Sequence, residues 1–358
     1  VLAHAERYPA ENIEKLICES VPLQLNAECL TKPLKRKRYL EWIENGYVKY
    51  LGSDIHMLGD RYEDWTKCRR LLGNWSRKGR FMSAEQYGAY SVLMSVYSKE
   101  NPTWLRLAIE SMQTQTLPTS DFVLVCDGPL TPELDGVIAE KQRQMGETLT
   151  VVRLEKNVGL GNALNEGIKH CRNELVARMD SDDIAYPDRC EKQVAIFNKY
   201  PIVSICSGTV MEFSKNPETI NCKRVLPEKN KEIIEFAKKR NPFNHPCVMY
   251  KKSAVEAVGS YQHFYLLEDY YLWIRMLMAG YEGYNIQEPL LYMRAGTSMY
   301  KRRAGRRYAK TQIELFRFMW KQGFINAWQY AESCIIRSSS ALSPNWLRKY
   351  MYITFLRS

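Results

Sequence analysis

The residues "YSVLMSVYSKENPTWLRLAIESMQTQTLPTSDFVLVCDGP" (90–129) contain the pattern that decides the fold. A continuous apolar run (90–97) is typical of a central parallel strand. A helix pattern follows, in which we expect Asn101 to be the N-cap and Pro102 to lie in the first turn. A second apolar run (121–126) then predicts another strand. The predicted buried face of the helix consists of Leu105, Ala108, Ile109 and Met112.

The same alternation continues along the chain. We predict a helix over 131–145, a strand over 149–155, a turn and helix over 157–171, and a strand over 174–180. Alternating strands and helices predict a doubly wound α/β domain, in which ligands lie beyond the carboxyl ends of the strands. The predicted stripe of the last helix consists of Leu160, Leu164, Ile168 and Cys171.

Three carboxylates follow the strand over 174–180: Asp180, Asp182 and Asp183, in "ARMDSDD" (177–183). Two carboxylates ~4 Å apart repel by several kcal/mol at the effective dielectric of a protein surface, so such a cluster extends into water or holds a cation. A solvated surface turn would have a similar sequence. The position at a strand end favours a divalent cation, and carboxylate oxygens suit Mg²⁺ or Mn²⁺.

Composition limits the class of protein. With 358 residues, 45% hydrophobic and 25% charged, the chain is expected to form one large domain plus a smaller one. Its apolar runs are shorter than the ~18 residues of a membrane span, and its start lacks the apolar region of a signal peptide, so we expect a cytoplasmic protein. The ten cysteines include no CxxC pair, which argues against zinc ribbons and a disulfide framework.

The net charge of +11 is concentrated in basic clusters at 32–38, 300–310 and 345–358. Such clusters indicate an anionic partner. Aromatic residues beside them favour a phosphate-rich substrate or an anionic membrane surface. A basic nucleic-acid-binding module is the weaker alternative, because no zinc-finger, RNP or helix-turn-helix pattern accompanies the charge.

Several motifs, in order and spacing, resemble the family 2 glycosyltransferases of the GT-A fold. They are "SVLMSVYSKENPTWL", "VCDGPLTPEL", "LEKNVGLGNALNEG", "ARMDSDDIAYPDRCEKQ", "KRNPFNHPCVMYKKSAV" and "LEDYYLWIRM". The resemblance covers about residues 90–358 and is strongest to enzymes of bacterial capsule and exopolysaccharide clusters, including the amylovoran type. It implies a Rossmann-like, mostly parallel sheet with a helical C-terminal region.

The resemblance also implies a reaction. A sugar would move, with inversion, from a nucleotide-diphosphate donor, expected to be a UDP-sugar, to an oligosaccharide or an undecaprenyl-diphosphate-linked acceptor. Asp180 and Asp182 match the metal motif for Mn²⁺ or Mg²⁺, and His245 is either near the metal and diphosphate or a structural histidine. Displacement at the anomeric carbon needs a base, which we assign to Asp269 with Glu268 in support.

The residues predicted to bind the donor are Ser95, Tyr97, Asp127, Lys156, Asn157, Arg178 and Arg294. By resemblance, Asp127 receives the N–H of a uracil ring. Arg178 would reach the diphosphate or serve as a structural ion-pair partner, and Tyr97 would contact the donor or belong to the core. Arg294 lies in a segment rich in Gly and Arg (293–307), which we interpret as a lid over the donor phosphates.

The first residues resemble a different family. "LAHAERY" (2–8) and "YVKYLGSDIHMLGDRYEDW" (47–65) are similar to the last third of PHP-type capsule tyrosine phosphatases, whose metal ligands match His4, Asp54 and His56. The other ligands of that family would precede residue 1, so we expect an inactive partial domain without phosphotyrosine hydrolysis.

The predicted organisation has four parts. They are a partial phosphatase-like α/β segment (1–75), a linker (76–89), the catalytic domain (90–298) and a basic helical region (299–358). The basic and aromatic C-terminus predicts peripheral contact with the inner face of an anionic plasma membrane.

Overall fold

The computed structural model describes residues 87–214, 216–295 and 305–342, together with 23–26, 39, 42 and 48–52. The chain divides into two compact units, Val1–Glu85 with Met278–Gly280, and Gln86–Leu277 with Tyr281–Ser358. In the first unit, β1 (Leu23–Asn26) pairs in parallel with β2 (Val48–Gly52). His4, Asp54 and His56 lie outside the described residues, so the phosphatase resemblance and the four domain bounds stay predictions.

The second unit is built on a nine-stranded sheet. Its parallel part has the order β5-β4-β3-β6, and α1, α2 and α3 connect these strands. The alternation predicted over 90–180 is therefore confirmed. The elements are β3 (Ser91–Val96), α1 (Pro102–Gln113), β4 (Asp121–Cys126), α2 (Pro132–Met145), β5 (Leu149–Arg153), α3 (Leu160–His170) and β6 (Leu175–Asp180).

The rest of the sheet is mixed. Beyond β6 the order is β10-β8-β11-β7, with β9 on β8, and β10 runs antiparallel to both of its neighbours. The helices α8 and α9 confirm a helical C-terminal region over 306–342. The elements are β7 (Ile184–Ala185), α4 (Arg189–Lys199), β8 (Val203–Phe213), β9 (Ile220–Arg224), α5 (Asn230–Ala237), β10 (Met249–Lys251), α6 (Lys252–Ala257), α7 (Glu268–Met278), β11 (Glu282–Arg294), α8 (Arg306–Lys321) and α9 (Ala327–Leu342).

The first helix begins as its sequence predicts. The Asn101 side chain accepts hydrogen bonds from the backbone N–H groups of Thr103 (2.9 Å) and Trp104 (3.3 Å), which satisfies donors that the first turn leaves unpaired. The predicted face of α1 is fully buried in the core beneath the sheet.

The predicted stripe of α3 is wrong at one residue. Leu160 is exposed, because it begins the helix at the carboxyl edge where the strands end. The helix packs closely on the sheet at Gly167, where an added Cβ would lie 2.3 Å from Leu93 Cδ1. The buried residues of α3 are Ala163, Leu164, Gly167 and Ile168.

The strand order reverses between β3 and β6. These strands are parallel neighbours, and Ser95 is paired with Asp180 at their carboxyl ends. In open α/β sheets the crevice at such a switch point is where ligands bind. The segment 180–183, which carries Asp180, Asp182 and Asp183 and is called the acidic turn below, therefore follows the strand that borders this crevice.

Within the described part of the chain, no helix combines the length and apolar character that crossing a bilayer requires.

Candidate active site

The acidic turn after β6 is folded against the end of β11. Asp180 is the last residue of β6, and β7, which begins at Ile184, pairs antiparallel with β11 through Leu291 and Tyr292. Ligand oxygens of Asp180, Asp182 and Asp183 lie within 4.8 Å of one another. Asp183 is only 2% exposed and the other two are half-buried, so the cluster is not a solvated surface turn.

This cluster holds its negative charge at an electrostatic cost. Burial, followed by the charges of Asp180 and Glu100, raises the pKa of Asp182 to about 7. Burial and Asp182 raise the pKa of Asp183 well above its ordinary value. One oxygen of Asp183 accepts the backbone N–H of Arg294 (2.7 Å), whereas the other is buried without a hydrogen-bond partner. A buried carboxylate oxygen of this kind needs a proton or a cation, and oxygen ligands fit a hard divalent ion.

Arg294 lies directly beside the acidic turn, as a donor contact would require. Its Nε donates to the backbone carbonyl of Asp182 (3.1 Å). Its guanidinium carbon lies 4.2 Å from the ring centre of Trp104 and 4.6 Å from that of Phe213. Both aromatic faces stabilise the cation and hold it in position. The following residues of the predicted lid, 296–304, lie outside the described residues.

Arg178 occupies the interior. It is 1% exposed and forms an ion pair with Asp180, which is the structural alternative that the sequence left open. Its Nε and Nη1 have no hydrogen-bond partner among the described residues. A direct donor contact by Arg178 stays a prediction. At the end of β3, Ser95 is half-buried, and Tyr97 is 38% exposed, so the interpretation of Tyr97 as core is wrong.

Asp127 organises the loop that precedes α3. Its buried carboxylate accepts the backbone N–H groups of Val158 (2.7 Å) and Gly159 (3.1 Å) and the side-chain amide of Asn157 (3.0 Å). Gly128 has a φ of +88° and lies so close to this loop that an added Cβ would be 2.6 Å from the Asn157 nitrogen. The sequence did not predict this structural role. Contact of Asp127 with a uracil ring stays a prediction.

Lys156 and Asn157 are exposed in the same loop. The loop leads into the N-terminus of α3, where backbone N–H groups and the helix dipole favour a phosphate. Their predicted donor contacts are consistent with this position and stay predictions.

The second carboxylate pair begins α7. Asp269 accepts a hydrogen bond from the side-chain amide of Asn241 (2.6 Å), which orients it. Glu268 packs against the start of α3, where an added Cβ on Gly161 would lie 3.5 Å from Glu268 Cγ. Burial raises the pKa of Glu268, which makes this carboxyl easier to protonate than an exposed glutamate.

Tyr261 packs on the same part of α3 as Glu268. An added Cβ on Gly161 would lie 3.5 Å from Tyr261 Cβ and 3.5 Å from Glu268 Cγ. Burial raises the pKa of Tyr261, the charge of Arg178 opposes this shift, and the charges of Asp269 and Asp180 add to it. That the two carboxylate sets form one site stays a prediction.

His245 lies beside Tyr261. Its Nε2 lies 3.0 Å from the Tyr261 hydroxyl, and burial followed by the positive charge of Arg178 lowers the pKa of His245 well below its ordinary value. The ring is therefore neutral at pH 7. Among the described residues, the cluster that could hold a metal contains the three aspartates and not His245, whose role as a ligand stays a prediction.

Four contributors were not assigned roles from the sequence. Glu100 accepts a hydrogen bond from the Ser181 hydroxyl (3.0 Å) beside the acidic turn, although the two are 81 residues apart in the chain. Asn241, Asp183 and Glu100 stand within motifs that the resemblance included, so their residue type was a usable signal. The contacts of Tyr261 depend on the packing of distant elements, and no local pattern indicates them.

The raised pKa of Asp182 predicts how the stability of the metal-free protein depends on pH. Between its ordinary value of 3.8 and about 7, the folded state binds more protons at this site than the unfolded chain does. This contribution to stability is therefore present at low pH and is lost as the pH rises through about 7. We expect Asp182→Asn to be more stable than the wild type at about pH 8.

Scanning calorimetry in EDTA would measure this difference. The advantage of Asp182→Asn in Tm should shrink by about 2–4 °C between pH 8 and pH 5.5, the effect of ~1 kcal/mol in a domain of this size. A Tm difference that does not change with pH would show that Asp182 does not titrate in this range.

The described structure is that of an α/β protein with a carboxylate cluster at the switch point of its sheet and a second carboxylate pair at the start of α7. The family model described as "Glycosyl transferase family 2" matches residues 91–259. An uncharacterized glycosyltransferase of Haemophilus influenzae is 44% identical over 268 residues, covering 75% of this chain and 99% of that protein. The chain belongs to glycosyltransferase family 2.

Two further relatives have more specific names. The amylovoran biosynthesis glycosyltransferase AmsE of Erwinia amylovora is 39% identical over 266 residues, covering 74% of this chain and 97% of that protein. A UDP-Gal:alpha-D-GlcNAc-diphosphoundecaprenol beta-1,3-galactosyltransferase of Escherichia coli is 37% identical over 268 residues, covering 75% and 96%. Exopolysaccharide-type enzymes are thus among the relatives of this chain.

Solved structures confirm the GT-A-like fold. Staphylococcus aureus TarS 1–349 in complex with UDP-GlcNAc has a TM-score of 0.54 at 17% identity, covering 75% of this chain and 76% of that one. The mannosyltransferase PcManGT of Pyrobaculum calidifontis, in complex with GDP-Man and Mn²⁺, has a TM-score of 0.51 at 15% identity, covering 83% and 85%.

Proposed function

We propose that this protein is an inverting, metal-dependent glycosyltransferase that moves a sugar from a UDP-sugar to a saccharide linked to a lipid diphosphate, in the synthesis of a surface polysaccharide. The observation that carries the proposal is the cluster of Asp180, Asp182 and Asp183 at the switch point of the sheet, in a chain that belongs to glycosyltransferase family 2. This cluster is suited to the donor diphosphate and the second carboxylate pair to the acceptor.

The donor side would be formed by the acidic turn and Arg294. Asp180 and Asp182, with the buried oxygen of Asp183, would hold Mn²⁺ or Mg²⁺. Such an ion, when bound, supplies positive charge to the departing diphosphate. Arg294, held between two aromatic rings, adds a second positive charge at the same place. The complexes of TarS with UDP-GlcNAc and of PcManGT with GDP-Man and Mn²⁺ support this assignment.

The acceptor side would depend on Asp269. Its carboxylate takes the proton of the acceptor hydroxyl as the hydroxyl oxygen forms a bond to the anomeric carbon of the sugar. The bond from that carbon to the diphosphate oxygen breaks on the opposite face, so the configuration inverts and the nucleoside diphosphate leaves. Asn241 holds the carboxylate in position through its hydrogen bond. Glu268 would support the base or contact the acceptor.

The lipid-linked acceptor is supported by one relative. The Escherichia coli enzyme is named for transfer from UDP-Gal to GlcNAc on diphosphoundecaprenol, and it shares 37% identity with 75% of this chain. The name of AmsE supports a place in exopolysaccharide synthesis. An acceptor of this kind lies in a bilayer, so we propose that the protein works at the cytoplasmic face of the plasma membrane, in peripheral contact with it.

A transfer assay tests the proposal. The purified chain would be incubated with Mn²⁺, a synthetic GlcNAc-diphosphate lipid and one nucleotide sugar at a time from UDP-Gal, UDP-Glc, UDP-GlcNAc and GDP-Man. We expect product from one UDP-sugar and none in EDTA, with NMR showing an inverted anomeric centre. Product from GDP-Man alone, or retention of configuration, would contradict the proposal.

The alternatives give different results. A nucleic-acid-binding module would bind RNA or DNA with a steep dependence on salt and would not depend on Asp269. Phosphotyrosine hydrolysis lost on His56→Ala would support a phosphatase instead.

A further inference from the structure

The last described helix carries an unusual apolar surface. Trp328 is 80% exposed, Ile335 69% and Ile336 51%, and their spacing of seven and eight residues puts them on one face of α9. We call these three residues the α9 ridge. Exposed single apolar residues are ordinary, but an exposed tryptophan aligned with two isoleucines on one helix face indicates a surface that another phase or molecule covers.

The neighbouring helix gives this surface its charge. The exposed side of α8 carries the basic residues Arg306, Arg307, Lys310, Arg317 and Lys321, against one acidic residue, Glu314. Across 305–342 there are six basic and two acidic residues, and the sequence from 343 to 358 adds three basic residues and no acidic one.

Contacts between α8 and α9 join them into one helical hairpin. Trp320 of α8 stacks on Tyr330 of α9, with ring centres 5.1 Å apart and planes within 8°. Arg317 lies three residues before Trp320, on the same side of α8. Basic groups and amphipathic aromatic rings thus adjoin on one helical hairpin, the combination that helices at a bilayer interface use.

We propose that the α8–α9 hairpin is a membrane-docking surface, in which the α9 ridge enters the headgroup region of an anionic bilayer while the basic side of α8 contacts lipid phosphates. The partner is inferred to be lipid because the apolar groups belong to a helical hairpin with an excess of positive charge, and anionic lipid complements both properties. The inference rests on the proposed function at one point, which is that the bilayer would contain the lipid-linked acceptor.

Glu332 gives the proposal a specific internal test. This exposed acidic residue lies on the same face of α9, between Trp328 and Ile335. Its carboxylate opposes contact with an anionic surface, so Glu332→Gln should strengthen vesicle binding. A protein partner of ordinary composition gives no reason for that change to depend on the charge of the lipid.

Vesicle flotation tests the proposal with the full chain. Wild type is expected to float with vesicles of phosphatidylglycerol and phosphatidylcholine and to bind pure phosphatidylcholine vesicles at least ~10-fold more weakly. It should dissociate from the anionic vesicles as the salt concentration rises, because salt screens the attraction between surface charges. The double variant Trp328→Ser and Ile335→Ser should lose at least ~10-fold in affinity. Val225→Ser is the matched control. Val225 is an apolar residue, 48% exposed, that directly follows β9, so this variant should float as the wild type does.

Three outcomes would overturn the proposal. The double variant could float like the wild type, the wild type could bind neutral and anionic vesicles equally, or the ridge could be covered by a second copy of the chain. The last case would appear in analytical ultracentrifugation as a dimer that the double variant loses. Binding of UDP in solution should be equal in wild type and double variant, so failure of vesicle binding and failure of the proposed transfer reaction are distinguishable.

Discussion

Replacing Asp182 with asparagine is expected to lower the rate of sugar transfer by about 10³-fold at saturating donor. The side chain keeps its shape but loses the charge that, with Asp180 and Asp183, makes this cluster our proposed site for a divalent cation. A metal that neutralises a leaving group stabilises the transition state by several kcal/mol, and each 1.36 kcal/mol corresponds to a tenfold change in rate. The rate of UDP release, measured at increasing Mn²⁺ concentrations, would give both the loss of activity and any change in the Mn²⁺ concentration needed for half-maximal rate.

The matched control for this prediction is Asp135→Asn. Asp135 lies on α2 in an exposed ion pair with Arg153 (2.8 Å), so its loss should change activity less than twofold. Wild-type turnover with unchanged Mn²⁺ dependence in Asp182→Asn would contradict the assignment of the acidic turn as a metal site.

Asp269→Asn is expected to lower kcat by about 10²–10⁴-fold, the range for removal of a positioned general base. The amide cannot take the proton of the acceptor hydroxyl, although it retains nearly the same volume beside Asn241. Binding of the donor should change little, because the acidic turn and Arg294 remain intact. Single-turnover transfer would measure the chemical step, and calorimetric titration with UDP and Mn²⁺ would measure donor binding.

Glu268→Gln is the comparison that separates the two neighbouring carboxylates. Glu268 packs on the start of α3 near Gly161, so its replacement should have a smaller effect on kcat than that of Asp269. A larger loss of kcat in Glu268→Gln than in Asp269→Asn would show that Glu268, and not Asp269, is the base. If Asp269→Asn retained more than a tenth of wild-type kcat, another group would have to be the base.

Much of the site was predictable because its residues stand at the ends of regular elements. The apolar runs predicted β3 and β6, and parallel strands bring their carboxyl ends to one edge of the sheet, where Asp180 was expected and where it pairs with Ser95. The prediction for α3 was wrong at Leu160, because helical spacing indicates a face but not where the underlying sheet ends. Arg178 shows a related limit: its position on a strand was clear, but its partner was not.

The sequence by itself determined the alternation of strands and helices, the class of site and the carboxylates that define it, since these depend on local periodicity and on residue chemistry. Only the tertiary structure decided which carboxylates are buried, that Asp127 holds the loop before α3, and that the Tyr261 hydroxyl lies 3.0 Å from His245 Nε2. The physical reason is that burial and charge coupling depend on distances between residues far apart in the chain. Those distances are set by how the elements pack.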